Sequence, residues 1–445
     1  MTAKKSTSAS GRSARRGGTK NKSRAFKPAS SAASAKSKVK SAAKSSAGSA
    51  VSRTKSAGSA LPAEPLNVYS AILEHLEADN RFRQIPEIDS EATNQKKPNV
   101  DLLSNDYLGL GQEADSYREE FLERFPDAQF TSSASRLLSR RNKYHNQLEA
   151  YLEQLYGRPA LLFNSGYHAN VGIIQALAVP GTMFIADKLV HASAIDGLRL
   201  SEADFKRFPH NSISKLRRIL TENYDDYERF IVVVESIYSM DGDISPLKEL
   251  VKLKKEFPKV ILYVDEAHAF GVRGLRGLGM AEELGIIDDI DIIVGTLGKA
   301  AASAGAFAVC SPMMKDYLIN SARSFIFSTA ISPAQAAWSL LMVEKLVGMN
   351  DRRERLKEIS REFVDQMERR NNMETPSSTQ IVPWIIGDAG EAVLISKYLR
   401  ACGFDAMAIR KPTVPAGSER IRFSLNALLS DKEITRLVGA IGKYH

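Results

Sequence analysis

Hydrophobic and polar positions follow two alternating periods along the middle of this chain. Short, apolar, β-branched runs at residues 160–163, 183–186, 230–234, 260–264, 290–294 and 307–309 read as buried parallel strands. Amphipathic stretches at 215–222 and 246–256 read as intervening helices. That alternation predicts an α/β protein with a mainly parallel sheet covered by helices, and the strand ends of such sheets are where ligands bind.

Two motifs ride on the ends of these strands, Val264-Asp-Glu-Ala-His268 and Gly295-Thr-Leu-Gly-Lys299. Together they supply an acid, an imidazole and an amine. A lysine that condenses with an aldehyde and an aspartate that holds a pyridinium nitrogen are the groups pyridoxal phosphate most needs. The small residues Ala300-Ala-Ala-Ser-Ala-Gly305 leave room for a flat ring beside Lys299. An ordinary lysine titrates at about 10.4, so Lys299 needs desolvation or a neighbouring cation to act near neutrality. Otherwise it is a surface lysine after a loop. Asp265 ends an apolar strand, where an ionised carboxylate requires a partner such as a pyridinium, or else caps a helix. His268 can bond a ring oxygen, relay a proton, or sit as a satisfied loop residue.

A phosphate site is expected at Asn164-Ser-Gly-Tyr167, where free backbone N–H groups open a helix running on through Gln175, with Thr296 as a second donor. His191, past the 183–186 strand, can stack on a cofactor ring or be a buried histidine bonded to backbone. Ser239 sits in the turn Ser239-Met-Asp-Gly242 and is a further candidate contact. Near the C-terminus, Arg420-Ile-Arg422 puts two guanidinium groups on one strand face, suited to a carboxylate or simply exposed. The cysteines, Cys310 and Cys402, lack ligand-like spacing, so neither a disulfide framework nor a metal site is expected.

Composition changes the picture at one end. The 445 residues carry a formal charge of +9, yet residues 1–60 hold 15 Lys or Arg and no acid, leaving 46 basic against 52 acidic residues in the remainder. The basicity belongs to a Ser/Ala/Lys-rich tail, residues 1–64, expected to be disordered because it has little to bury. It reads as a nucleic-acid-binding arm, a transit segment, or a solvated extension. Beyond it we expect an N-terminal segment (65–110), a large cofactor-binding domain (111–345) and a small C-terminal domain (346–445). No run is apolar enough to span a membrane, and a soluble, cytoplasmic protein is the expectation.

Taken in order, the lysine, aspartate, two histidines, Ser-Met-Asp-Gly turn and Pro412-Thr-Val-Pro415 segment resemble the α-oxoamine synthases, pyridoxal phosphate transferases of fold type I. The resemblance runs from about Leu103 to the end. It implies a mainly parallel sheet in the large domain, a smaller α+β C-terminal domain, and condensation of an amino acid with an acyl thioester, CoA or carrier-borne, with loss of carbon dioxide. It further implies that Lys299 holds the cofactor aldehyde and later moves protons, Asp265 pairs with the pyridinium, His268 bonds the ring oxygen and His191 stacks on the ring. Ser165, Gly166, Tyr167 and Thr296 would surround the phosphate, with Ser328 and Thr329 reaching the phosphate of a partner subunit in a homodimer. Arg422 would grip the substrate carboxylate, with Asn105 and Arg410 nearby.

Within the family, the Arg410 and Arg422 segments look most like the branch that joins a pimeloyl thioester to L-alanine in biotin synthesis, where Arg410, Arg81 or Arg83 would meet the distal carboxylate. Branches using glycine or serine, and a non-catalytic paralogue, are the alternatives. Two departures from the family pattern stand out. Residues 131–136 read Thr-Ser-Ser-Ala-Ser-Arg, with Arg140 following, where relatives carry glycines, and Lys411 replaces a common proline. Both lie where acyl-chain choice could be set.

Overall fold

The computed structural model describes residues 66–85 and 99–444. The basic tail assigned to residues 1–64 lies outside the described residues. Strands in chain order are β1 (Val100–Asp101), β2 (Ala160–Phe163), β3 (Thr182–Asp187), β4 (Asp204–Phe208), β5 (Arg229–Glu235), β6 (Val260–Asp265), β7 (Ile292–Thr296), β8 (Ala306–Val309), β9 (Ile381–Ile385), β10 (Phe404–Asp405), β11 (Met407–Ile409) and β12 (Arg420–Ser424). A seven-stranded sheet has the order β2-β8-β7-β6-β5-β3-β4. Its core from β7 to β4 is parallel, whereas β8 runs antiparallel to both neighbours. The reason is length: residues 297–305 join β7 to β8, too few for the crossover that a parallel pair requires.

The central strands are buried on both faces, which is why they are apolar throughout instead of alternating. In β5, Phe230, Val232 and Val234 enter the core on one side while Ile231 and Val233 enter the core on the other. Each such side chain contributes about 1.5–3 kcal/mol relative to exposure. One core is covered by the helices Gly166–Leu177 and Ala192–Ser201. The opposite core continues without a break into the C-terminal region, where the antiparallel sheet β11-β12-β9 contributes Ile421, Phe423, Ile381 and Val382. The helices Asn350–Asn371, Ala389–Ala401 and Asp431–Tyr444 supply the rest of that core, through Phe363, Leu399 and Leu437 among others.

A further parallel pair joins the ends of the fold. β1 pairs with β10 in the register Val100↔Phe404, and Ser424 N donates to the Leu102 carbonyl at 3.0 Å. The segment that follows β1 is thereby laid against β12. Among the described residues, no helix is long and apolar enough to cross a membrane.

Candidate active site

The C-terminal ends of β5, β6 and β7 deliver Glu235, Asp265 and Thr296 to one edge of the sheet, with Glu235 paired to Asp265 in parallel register. Lys299 follows β7 in a turn closed by Leu297 N to the Gly305 carbonyl (2.9 Å) and Ser303 N to the Leu297 carbonyl (2.9 Å). Its Nζ lies 3.0 Å from His268 Nε2. Burial pushes the amine down to about 8, with Arg422 adding to the effect and Asp265 and Glu235 opposing it. Burial, together with the charges of Lys299 and Arg422, also holds the His268 imidazole well below its usual range.

From His268 a polar chain leads to the C-terminal sheet. Tyr107 Oη is 2.7 Å from His268 Nδ1 and 2.9 Å from Asn105 Oδ1. The single Tyr107 proton serves either Asn105 Oδ1 or His268 Nδ1, and the tautomer of His268 follows from that choice. Arg422 Nη2 donates to the same Asn105 oxygen at 3.0 Å, and its Nε donates to the Ser239 carbonyl at 2.7 Å. Gln380 fixes the His268 carbonyl at 2.9 Å. Arg420 reaches the Met240 carbonyl at 3.1 Å and pairs with Asp241. Neither arginine is an exposed charge: Arg420 is 5% and Arg422 8% exposed.

Asp265 is buried, and among the described residues no cationic side chain is bonded to it. Its oxygens accept from Asn170 Nδ2 (2.8 Å) and Ala267 N (2.9 Å). Asn170 also donates to Ser193 Oγ at 2.9 Å and accepts from Tyr263 Oη at 2.6 Å, and Ser193 Oγ lies 2.7 Å from His191 Nδ1. His191 caps the helix Ala192–Ser201, and burial lowers its imidazole. Beside them Glu235 is raised well above the carboxylate range by burial and by Asp265, and its Oε1 has no partner among the described residues.

The turn before the helix Gly166–Leu177 has Ser165 as its cap, accepting from His168 N at 3.2 Å. A side chain built on Gly166 would meet Thr296 at 3.9 Å, so the helix start and β7 face one another across an open step. Asn164 Nδ2 donates to the Thr329 carbonyl at 2.6 Å, bringing the segment with Ser328 to the same edge. Tyr167 is half exposed and its hydroxyl donates to Asp196.

Of the residues singled out from sequence, Lys299, His268, Asp265, His191, Asn105, Ser239 and Arg422 therefore fall into one connected neighbourhood. Ser165, Gly166 and Thr296 stand together at the helix start. Arg410 does not join them. Its guanidinium is bonded to the Asn80 and Phe82 carbonyls, and Arg83 donates to Thr413 Oγ1 at 3.3 Å, so both arginines line a separate cavity of about 400 Å³ with Phe82, Lys397 and Met407. Arg81 instead pairs with Asp79 at 3.5 Å. Tyr107, Asn170, Ser193, Glu235 and Gln380 were not singled out. Glu235 carries the same signature as Asp265, an acid ending an apolar strand.

The 131–136 loop packs against the 330–331 segment through Ser132 Oγ to the Ile331 carbonyl (2.7 Å) and Ala330 N to the Ala134 carbonyl (3.0 Å). Ser133 takes a φ of +50°, a left-handed conformation that glycine would adopt without the cost of about 1–2 kcal/mol.

These donors suit pyridoxal phosphate. A buried carboxylate bonded only by neutral donors accommodates a cationic ring N–H, a low-titrating amine stands beside it, and a helix N-terminus opposite a threonine accommodates a dianion. The aminotransferase class I and II family model matches residues 97–441. The 8-amino-7-oxononanoate synthase of Haemophilus ducreyi is 45% identical over 370 residues, covering 81% of this chain and 96% of that protein. Serine palmitoyltransferase of Sphingomonas wittichii superposes with a TM-score of 0.76 at 29% identity, covering 86% of this chain and 98% of that one. A serine palmitoyltransferase variant from S. paucimobilis solved with a bound PLP–myriocin aldimine gives 0.75 at 28%, covering 85% and 96%. The chain belongs to the aminotransferase class I and II family and, within it, to the α-oxoamine synthases, pyridoxal phosphate-dependent C-acyltransferases of fold type I.

Proposed function

We propose that this enzyme condenses L-alanine with a pimeloyl thioester, giving 8-amino-7-oxononanoate, carbon dioxide and the free thiol of the acyl carrier. The observation that carries the reading is the buried Lys299 amine, titrating at about 8, held 3.0 Å from a neutral His268 and beside Asp265. Pyridoxal phosphate, when bound, supplies an aldehyde and an electron-withdrawing ring that stabilises negative charge at the amino acid's α-carbon.

The chain's own residues do the rest. Asp265, oriented by Asn170, holds the ring nitrogen's proton in place. His268, whose Nε2 faces the Lys299 amine at 3.0 Å, bonds the ring oxygen through that nitrogen and keeps the amine beside the reacting carbon. Lys299 Nζ takes the α-proton of the amino acid and returns a proton to that carbon after decarboxylation. Arg422 orients the α-carboxylate, helped by Asn105, until that group leaves. His191 closes one ring face, while Ser165, Gly166, Tyr167, Ser239 and Thr296 hold the cofactor's oxygens. Ser328 and Thr329 serve the phosphate of a second copy, which makes the working unit a homodimer.

For the acyl partner, the cavity containing Arg83 and Arg410 combines two guanidinium groups with Phe82 and Met407. Burial and the Arg83 charge lower Arg410, so an anion there relieves a cation–cation contact. A medium acyl chain ending in a carboxylate matches that combination, and the 45% identity to a protein named 8-amino-7-oxononanoate synthase supports the same assignment. The test is a product-mass assay of the holoenzyme with L-alanine, glycine and L-serine against pimeloyl, palmitoyl, acetyl and succinyl thioesters. We expect the mass of 8-amino-7-oxononanoate from one pair. A long-chain ketone from serine, matching the serine palmitoyltransferase likeness, would overturn the substrate assignment and leave the reaction class standing.

A further inference from the structure

His210 lies outside the neighbourhood described above and is held between two carboxylates. Nδ1 is 2.9 Å from Asp187 Oδ1 and Nε2 is 2.7 Å from Asp243 Oδ2, while the ring meets Tyr238 edge-on with centroids 4.4 Å apart. A neutral imidazole has one N–H and can donate to one of these acids only; serving both requires the imidazolium. Burial works against that charge, but the hydrogen bonds to Asp187 and Asp243 overcome it and lift the group to about 10.

Each acid belongs to a segment that carries a site residue. Asp187, fully buried at the end of β3, accepts from Leu189 N at 2.8 Å and Asn211 N at 2.8 Å, anchoring the loop that leads to His191. Asp243 ends the turn that begins at Ser239 and also accepts from Asn211 Nδ2 at 2.8 Å. In that turn the Ser239 carbonyl accepts from Arg422 and the Met240 carbonyl from Arg420. The imidazolium, with Asn211 beside it, therefore joins the support of His191 to the support of Arg422.

We infer that His210 is a positioning residue: it ties the 187–191 loop to the 239–243 turn and thereby sets where Arg422 and His191 meet the amino acid. This rests on the reading of Arg422 as the grip on the substrate α-carboxylate.

The experiment compares the holoenzymes of wild type, His210→Gln, Arg422→Lys and the double variant. Each is titrated with L-alanine, with glycine and L-serine in parallel, without thioester, following the cofactor absorbance, and kcat, both KM values and the melting temperature are measured. We expect His210→Gln to weaken L-alanine binding and raise its KM by about tenfold, with the thioester KM within about twofold and the cofactor retained. We also expect the double variant to be weaker than Arg422→Lys by less than the factor that His210→Gln costs in the wild-type background, as coupled residues behave. Unchanged amino-acid affinity in His210→Gln alongside a lower melting temperature would overturn the inference, reducing His210 to a fold stabiliser. Unchanged affinity in Arg422→Lys would overturn the assignment of Arg422 and the inference with it. Should His210→Gln fail to fold, Asp243→Asn removes one of the two charges at nearly constant shape and carries the same expectations.

Discussion

At Lys299, desolvation disfavours the ammonium while Asp265 and Glu235 favour it, and desolvation wins, leaving the amine at about 8. Roughly a tenth of such amines are free at neutrality, against less than about one in a thousand for an ordinary lysine. In cofactor-free protein, we expect trinitrobenzenesulfonate to label Lys299 with a rate that climbs through a midpoint near pH 8, read by peptide mapping; a midpoint near 10 would mean the amine is solvated. Glu235 makes the opposite case, an acid raised by burial. Such a group adds stability that is complete below the unfolded carboxylate value and lost as pH rises through the folded one. Glu235→Gln should therefore gain in melting temperature relative to wild type between about pH 5 and about pH 8; a constant gap across that range would show that Glu235 is ionised throughout. Lys299 and Asp265 were legible in sequence because each is a charge set just beyond an apolar run. Asn170 was not, because an amide inside a helix resembles its wet face, and its partners Tyr263 and Asp265 lie 93 and 95 residues away.

Elements with period-two or uniformly apolar patterns were legible: β5 and β6 extend the runs read from sequence by a residue or two, since burial on both faces leaves little else for such segments to do. The charged edge strand β4, Asp-Phe-Lys-Arg-Phe, escaped notice because only Phe208 is buried. Strand direction at β8 escaped as well, since residue composition does not record which way a strand runs. The alternation placing Arg420 and Arg422 on one face was legible, whereas their burial depends on a turn about 180 residues earlier. That turn makes a prediction of its own. Gly242 has φ +69°, and an added Cβ would sit 1.9 Å from the Ile381 carbonyl. Gly242→Ala should cost about 3 kcal/mol in a denaturant titration, from left-handed strain plus overpacking. It should also lower amino-acid affinity by displacing the Ser239 carbonyl; a variant as stable as wild type would show that the turn yields at no cost.

At the scale of the whole molecule, the proposed homodimer completes the site by sharing residues across a two-fold interface. Loss of Lys299 in one copy and of Ser328 and Thr329 in another would then be complementary. Mixing inactive Lys299→Ala with an inactive Ser328→Ala/Thr329→Ala variant, after dissociation and reassociation, should restore about a quarter of wild-type activity, because half of the dimers are hybrids and each hybrid has one intact site. No recovery from the mixture would mean that each copy is self-sufficient.

Arg422 meets Asn105 and Tyr107 across a separation of more than 300 residues, and the β1–β10 pairing that presents them also waits for the C-terminal region. During translation, the early half of that arrangement leaves the ribosome with its counterpart still unmade. A polypeptide stopped before β12 lacks Arg422 and the C-terminal half of the core that covers one face of the seven-stranded sheet, so on the proposed reading the carboxylate grip is completed only by the last part of the chain to be made.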